Sequence, residues 1–296
     1  MKKIEVKNLI KVFDNNCVVN DVSFSFSSGK LTALCGRNGS GKTTTIRCIL
    51  GILKKDGGEI LIDGEQRYID KKNIGYLPEE RGLFLKEKVE TQLYFFAQMK
   101  GMEKKNINSA IDFWLNRFGI QEFKKKKLEC MSKGNQQKVQ MISALIHDPD
   151  IIILDEPFSG LDPINMNLFI EIIHELKNRN KCILVSNHQL ALLEGICEDV
   201  CIINKGRCIY EGSMLNLIKE NSSDYLYFTT KDSIKLEKEF EEVAPCNYRI
   251  ILNHPSEFSK KMDEIIHSGF EIESIGRGKI SLQEIFVSLV NNTVTK

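Results

Sequence analysis

The chain has 296 residues, of which 42% are hydrophobic and 27% are charged, and its formal net charge is +1. This length exceeds that of a usual single domain, so we expect two domains with the composition of an ordinary globular protein. The small net charge argues against nucleic acid as a partner, and no stretch reaches the ~20 apolar residues needed to span a bilayer. No apolar signal segment is found at the N-terminus, so we expect a cytoplasmic protein whose nine cysteines are reduced and lie in the core.

The N-terminal region contains the most specific motif. Residues 4–35 alternate short apolar runs with Asn, Asp, Ser and Gly, which predicts a small antiparallel sheet, and its last part, 30–35, is predicted to be a buried strand. Residues 36–43 read GRNGSGKT and match the phosphate-binding pattern G-x-x-x-x-G-K-[ST], and a helical pattern follows from Thr43 to Leu50. Glycines let backbone N–H groups and a helix N-terminus approach phosphate. We therefore expect ATP here, with Lys42 on its β- and γ-phosphates and Thr43 on Mg²⁺.

A helical pattern and two buried strands follow. Apolar residues recur at helical spacing from Val89 to about His147, which predicts an inserted helical subdomain at about residues 86–147. A short apolar run, 151–154, ends in Asp155 and Glu156, and a second, 182–186, ends just before His188. These runs are typical of central parallel strands, whose carboxyl ends bind ligands in α/β folds. A helix is predicted at 163–178, and the segments 200–204 and 208–211 are predicted to close the first domain.

The C-terminal part is predicted to be a separate small α+β domain. Polarity rises over residues 219–224, which we interpret as a linker, so we expect domains at 1–218 and 225–296. Strand patterns at 225–230, 248–252 and 270–274 alternate with helical patterns at 233–242, 256–267 and 281–292. No catalytic motif is found in this part.

Four further motifs, in one order, carry a family resemblance. Residues 131–135 read MSKGN where the ATP-binding subunits of ABC transporters have the signature LSGGQ. Residues 151–156 resemble the Walker B strand, 159–162 the D-loop, and His188 stands at the switch-histidine position. The chain therefore resembles an ABC transporter ATP-binding subunit from residue 4 to about residue 212. The resemblance implies an α/β P-loop NTPase core with a mixed sheet, an antiparallel β subdomain and an inserted helical subdomain, followed by the small α+β domain.

The resemblance also assigns roles. It implies that Glu156 is the general base, that Asp155 holds Mg²⁺ through a water, and that His188 contacts the γ-phosphate, so the catalytic residues are Glu156, His188 and Lys42. Phe13 would stack on adenine, although a core position is the alternative. The metal ligands would be Thr43, Asp155 and Glu79. The residues implied to bind nucleotide are Phe13, Gly36, Arg37, Asn38, Gly39, Ser40, Gly41, Lys42, Thr43, Thr44, Glu79, Ser132, Gly134, Asn135 and Asp162.

The same resemblance implies two kinds of protein partner. The signature would serve the nucleotide of a second, facing ATP-binding subunit, because it lies far from the phosphate loop of its own chain in this architecture. ATP would then join the subunits of a homodimer or heterodimer head to tail. The dimer would power a separate transmembrane permease from the cytoplasmic face of the membrane.

Three positions depart from the family pattern. Lys133 and Asn135 replace the usual glycine and glutamine of the signature, and Glu79 replaces the usual glutamine of the Q-loop. A carboxylate at Glu79 could bind Mg²⁺ but would repel phosphate unless a cation such as Arg81 neutralises it. The LPEERG form of residues 77–82 resembles bacterial ABC-2 type exporter ATPases. The alternatives are an importer ATPase with a regulatory C-terminal domain, and an ABC-type ATPase acting on nucleic acid, which usually has two ATPase halves or a long coiled coil.

Overall fold

The computed structural model describes residues 2–66, 70–80, 82–221, 224–234, 240–252, 254 and 256–292. These residues form three sheets, and the chain divides into unit 1, Met1–Met214, and unit 2, Leu215–Lys296. In chain order, the main elements of unit 1 are β1 (Lys3–Phe13), β2 (Asn16–Ser27), β3 (Leu31–Cys35), α1 (Lys42–Ile49), β4 (Gly57–Ile62), β5 (Ile74–Leu77), α2 (Val89–Met99), α3 (Lys104–Arg117), α4 (Lys133–Leu145), β6 (Ile151–Asp155), α5 (Pro163–Asn178), β7 (Cys182–Asn187), β8 (Asp199–Asn204) and β9 (Arg207–Ser213). Helix α6 (Met214–Asn221) begins at the boundary between the units.

A six-stranded sheet forms the centre of unit 1. Its strand order is β5-β6-β7-β3-β8-β9, in which the first five strands are parallel and β9 is antiparallel to β8. Every residue of β3, β6 and β7 is buried, as expected for strands covered on both faces. Because these three strands are adjacent and parallel, the residues that follow their carboxyl ends lie at one edge of the sheet.

The antiparallel sheet has a different third strand from the one predicted. Its order is β2-β1-β4, so β4 completes it. The prediction of one antiparallel sheet over residues 4–35 was therefore wrong for β3, which belongs to the parallel sheet. The physical reason is its sequence: β3 has no polar alternation, and both of its neighbours, β7 and β8, run parallel to it.

Helices α2, α3 and α4 occupy the region predicted to be helical. Their buried residues recur at helical spacing, for example Leu93 and Ala97 in α2 and Ile107, Ile111 and Trp114 in α3. In the part of the chain that the structure describes, no helix is both long and apolar enough to cross a membrane.

Unit 2 is built on a four-stranded antiparallel sheet. Its elements are β10 (Asp224–Thr230), β11 (Glu241–Ala244), β12 (Asn247–Ile251), α7 (Glu257–Ile266), β13 (Ile272–Lys279) and α8 (Leu282–Asn292), and the strand order is β11-β12-β10-β13. Leu226 and Phe228 of β10 form its core with Tyr248 and Ile250 of β12 and Ile265 of α7.

One predicted helix of unit 2 is wrong where the structure describes it. The helix was predicted at 233–242, but Ser233 and Ile234 are not helical and Glu241 begins strand β11, while residues 235–239 lie outside the described part. Glu241 pairs with Arg249 of β12 in the sheet, and the Arg249 Nε donates a hydrogen bond to Glu241 at 2.8 Å. Pairing between strands therefore overrides the local helical pattern. The helices predicted at 256–267 and 281–292 are confirmed as α7 and α8.

A partly buried histidine predicts how the stability of unit 1 depends on pH. The His147 Nε2 lies 3.0 Å from the carbonyl oxygen of Ile74, and burial, assisted by the nearby Lys100 ammonium, lowers the pKa of His147 to about 4. An unfolded histidine has a pKa of about 6.5, so between about pH 6.5 and 4 the unfolded chain binds a proton that the folded chain does not. The free energy of unfolding should therefore fall as the pH drops through this window, on the order of 3 kcal/mol.

His147→Gln should flatten that pH dependence, because an amide at this position has no proton to gain. The measurement is urea unfolding from pH 7 to pH 4.5, followed by the fluorescence of Trp114, the single tryptophan, which lies in unit 1. His254→Gln is the control, since His254 is exposed. Equal pH dependence of the parent protein and His147→Gln would contradict the prediction.

Candidate functional site

The phosphate loop, residues 36–43, joins β3 to α1 and is held by close backbone packing. Gly39 and Gly41 have φ angles of +77° and +106°, a region that favours glycine. A Cβ on Gly36 would lie 2.3 Å from the carbonyl oxygen of Ile203 at the end of β8. The turn after β8 adds a hydrogen bond of 2.9 Å from the Gly206 N–H to the Ser40 carbonyl. The loop is thus fixed between the sheet and the β8–β9 turn.

Helix α1 begins where the loop ends. Its N-cap is Gly41, which gives no side-chain cap to the first N–H groups of the helix, and N–H groups at a helix N-terminus bind anions. Lys42 is buried, and its Nζ donates a hydrogen bond of 2.8 Å to the Gly36 carbonyl and lies 3.5 Å from the Glu156 Oε1. Thr43 and Thr44 follow in the first turn, both partly exposed. The loop therefore combines N–H groups without a side-chain cap, a buried ammonium group and a hydroxyl group.

Two buried carboxylates, Asp155 and Glu156, stand at the carboxyl end of β6. Asp155 ends β6 and Glu156 follows it with a φ of +51°, which is uncommon for a residue with a side chain. The Glu156 Oε2 lies 2.9 Å from the His188 Nδ1, and His188 directly follows β7. Glu156 is thus placed between the ammonium of Lys42 and the imidazole of His188, both of which can stabilise a buried negative charge.

The donor set also fits a magnesium ion. The Asp155 Oδ2 is buried and has no hydrogen-bond partner among the described residues. An unpartnered buried carboxylate oxygen is costly unless a cation or water satisfies it. Carboxylate and hydroxyl oxygens, such as those of Asp155 and Thr43, are ligands that Mg²⁺ prefers.

Charge at this edge also affects a neighbouring tyrosine. Burial, reinforced by the nearby Asp155 carboxylate, raises the pKa of Tyr76 on β5 to about 12.

Glu79 lies two residues beyond β5 and is exposed. The Gln140 Nε2 donates hydrogen bonds of 3.0 and 3.1 Å to the carbonyls of Pro78 and Glu80, which holds this segment to α4. Arg81, the predicted counter-charge of Glu79, lies outside the described residues.

Phe13 lies at the end of β1 with 41% of its surface exposed, and the Lys11 Nζ lies 5.0 Å from its ring centroid. A side chain this exposed does not fill the core. The β2 strand that pairs with β1 brings the Val18 carbonyl close to Gly41 in the loop. The ring of Phe13 is thus on a hairpin that borders the phosphate loop.

The signature residues form a second cluster. The Ser132 Oγ caps α4 by accepting from the Asn135 N–H at 3.3 Å, and Gly134 lies in the first turn. Asp162 caps α5, where hydrogen bonds from the backbone and side chain of Asn165 lower the pKa of its carboxyl group. Within the described residues, no hydrogen bond joins this cluster to the phosphate loop. The structure therefore brings Lys42, Glu156 and His188 into contact, with Asp155 next to Glu156 in the chain. The D-loop begins beside this site, since the Ser159 N–H donates a hydrogen bond of 3.2 Å to the Glu156 carbonyl.

Sequence reasoning missed one residue of the site. Ser186, at the end of β7, is fully buried and its Oγ contacts both Asp155 and Glu156. The motifs name no serine at this position. The pairing register of β6 with β7, which places Ser186 opposite Asp155, identifies it.

Comparisons with known proteins agree with this arrangement. The sequence profile of the ABC transporter family matches residues 19–159. An uncharacterized ABC transporter ATP-binding protein of Methanocaldococcus jannaschii is 44% identical over 243 residues, covering 82% of this chain and 89% of that protein. The bacitracin transport ATP-binding protein BcrA of Bacillus licheniformis is 33% identical over 300 residues, covering 97% of each chain. A solved structure of the ATP-binding subunit of an ABC transporter is 30% identical, with a TM-score of 0.68, and covers 73% of this chain and 92% of that one.

The phosphate loop, the two carboxylates and the histidine lie at one edge of the central sheet in a P-loop NTPase core. With these relatives, they show that the chain belongs to the ATP-binding proteins of ABC transporters. It is a member of an ATP-hydrolysing family whose central domain binds ATP.

The packing of the loop predicts different effects for two glycines. Gly36→Ala would press a methyl group against the Ile203 carbonyl and the Ser40 Oγ, which a Cβ would approach to 2.3 and 2.4 Å, so the loop must shift. Gly39→Ala meets nothing within 4 Å and strains only its own φ of +77°. We expect Gly36→Ala to weaken ATP binding about tenfold or more. Gly39→Ala should reduce the free energy of ATP binding by about 1 kcal/mol or less. Titration with a fluorescent ATP analogue measures both, and equal losses would contradict this account of the loop.

Proposed function

We propose that this chain is the ATP-hydrolysing subunit of an ABC-2 type exporter. It works from the cytoplasmic face of the membrane with a separate transmembrane permease. Two observations support export. The similarity to the bacitracin transport protein extends over 97% of each chain and so includes unit 2, and residues 77–82 have the LPEERG form. The observation that carries the ATPase mechanism is the position of Glu156 between Lys42 and His188.

In the proposed reaction, Glu156 takes a proton from the attacking water. The water oxygen bonds to the γ-phosphorus as the bond to the β–γ bridging oxygen breaks, so ADP and phosphate form. Lys42 lies 3.5 Å from the Glu156 Oε1 in this structure. The phosphates of ATP compete for that ammonium, so nucleotide binding draws Lys42 away and frees Oε1 to accept the proton.

His188 contacts the other oxygen of the base. Its Nδ1 lies 2.9 Å from the Glu156 Oε2, so the imidazole fixes the direction in which Oε1 points. His188 is 40% exposed at its side chain, whereas that of Glu156 is 5% exposed. The histidine therefore stands between the buried base and the solvent-facing side, where the γ-phosphate would lie.

The proposed ligands of Mg²⁺ are Thr43, Asp155 and Glu79. When bound, the ion neutralises charge on the phosphates as the γ-phosphoryl group is transferred. Asp155 offers its unpartnered Oδ2 and Thr43 its hydroxyl group, while Glu79 lies on the exposed side of the same sheet edge.

The signature cluster is proposed to act on a second subunit. The cluster is formed by two helix N-termini: that of α4, with Ser132, Gly134 and Asn135, and that of α5, with Asp162. The Asn165 side chain donates a hydrogen bond to Asp162 and lies next to Gly134. Among the described residues, no hydrogen bond joins the cluster to the phosphate loop of its own chain. Helix N-termini attract anions, so this cluster suits the γ-phosphate held by a facing ATP-binding subunit, identical or homologous.

Purification of the tagged chain from native membranes should yield a permease of several spans. A solute-binding protein in that complex would favour an importer instead.

Glu156→Gln tests the proposed base. The amide keeps the shape of the side chain but cannot accept the proton, so we expect ATP binding to stay within about threefold of the parent value and turnover to fall by about 100-fold or more. With ATP and Mg²⁺, the variant should accumulate as a dimer in analytical ultracentrifugation. Hydrolysis by Glu156→Gln at the parent rate would show that Glu156 is not the general base.

Glu79→Gln tests the unusual Q-loop carboxylate. If Glu79 contributes to magnesium binding, its amide should raise the Mg²⁺ concentration for half-maximal hydrolysis severalfold while the affinity for ATP without metal changes little. Glu80→Gln is the matched control, since Glu80 is the exposed neighbour of Glu79. Superimposable magnesium titrations for Glu79→Gln and the parent protein would exclude Glu79 as a ligand.

A further inference from the structure

The buried hydroxyl group of Ser186 connects the two carboxylates of the site. In the parallel pair of β6 and β7, Ser186 stands opposite Asp155 in register. Its Oγ donates a hydrogen bond to the Asp155 Oδ1 and accepts one of 3.0 Å from the Glu156 N–H. Ser186 is 0% exposed, so no solvent competes for these bonds. One hydroxyl group thus makes hydrogen bonds to a carboxylate oxygen and to the adjacent backbone N–H at the same time.

We propose that Ser186 is a positioning residue that orients both Asp155 and Glu156 for ATP hydrolysis, an inference that rests on the proposed function. Because Oδ1 of Asp155 is engaged by Ser186, Oδ2 is the oxygen left without a partner and available to the metal. Groups that hydrogen-bond to a metal-binding carboxylate orient it, and their loss commonly lowers metal affinity or activity by about 10- to 100-fold.

The same hydroxyl fixes the backbone of the base. Glu156 has a φ of +51°, a conformation that persists in a residue with a side chain only where the surroundings hold it. The bond from the Glu156 N–H to the Ser186 Oγ is such a restraint. It keeps the peptide turned so that the side chain reaches the Lys42 Nζ at 3.5 Å and the His188 Nδ1 at 2.9 Å.

Ser186→Ala removes this hydroxyl with little change in volume, and Ser186→Thr retains it. The matched control is Thr32→Ala, because Thr32 on β3 is also buried and its Oγ1 has no hydrogen-bond partner among the described residues. Two readouts are needed. The first is the Mg²⁺ concentration for half-maximal ATP hydrolysis by the full chain. The second is the affinity for Mn²⁺, measured by electron paramagnetic resonance on ATP-loaded protein that carries Glu156→Gln in both compared forms.

Ser186→Ala should raise the Mg²⁺ midpoint and weaken Mn²⁺ binding about tenfold or more, lower kcat, and leave ATP affinity without metal unchanged. Ser186→Thr should recover most of the metal affinity, and Thr32→Ala should behave as the parent protein. Unchanged metal affinity in Ser186→Ala, or equal losses in Ser186→Ala and Thr32→Ala, would overturn the proposal. Full turnover by Glu156→Gln would instead contradict the proposed function, so the two failures are distinguishable.

Discussion

The site depends on the buried contact between the Lys42 ammonium and the Glu156 carboxylate. The side chains of Lys42 and Glu156 are 7% and 5% exposed, and their charged atoms lie 3.5 Å apart. Removing either charge from water is costly, so each group needs a partner of opposite charge. The fold meets this need through topology: β3, β6 and β7 are parallel neighbours, and the loop, the two carboxylates and His188 all follow their carboxyl ends. The core of unit 1 therefore determines the electrostatics of the site.

In the proposed mechanism, this contact couples ATP binding to a change in the site. A buried ion pair is stable only while both partners remain, and phosphate is a stronger competitor for an ammonium than a single carboxylate because it carries more charge. When ATP binds, the Lys42 ammonium moves from Glu156 to the phosphates. Hydrolysis followed by phosphate release restores the ion pair of Lys42 and Glu156. In the same proposal, Ser132 and Gly134 of a facing subunit bind the γ-phosphate, which would hold the two subunits together only while it is present.

Much of the central domain could be predicted from the sequence because its signals are local. The glycine pattern of residues 36–43 and the apolar runs that end at Asp155 and before His188 predict the loop, the strands and the sheet edge. Three features depend instead on strand pairing, which a single sequence does not show. These are the place of β3 in the parallel sheet, the strand conformation of Glu241, and the position of Ser186 opposite Asp155. The helix predicted at 233–242 is wrong at Glu241 for this reason: its apolar spacing fits a helix, while pairing with β12 makes Glu241 part of a strand.

The most direct measurement of the central claim is a structure of the chain with ADP, vanadate and Mg²⁺, which imitates the γ-phosphoryl group in transfer. The account predicts that Lys42 leaves Glu156 for the phosphate and vanadate oxygens, and that the Glu156 carboxylate lies within hydrogen-bond distance of the apical vanadate oxygen. The Asp155 Oδ2, with Ser186 still bonded to Oδ1, should face the metal. A Lys42–Glu156 contact that persists in the trapped state, with another side chain facing the apical oxygen, would contradict the account.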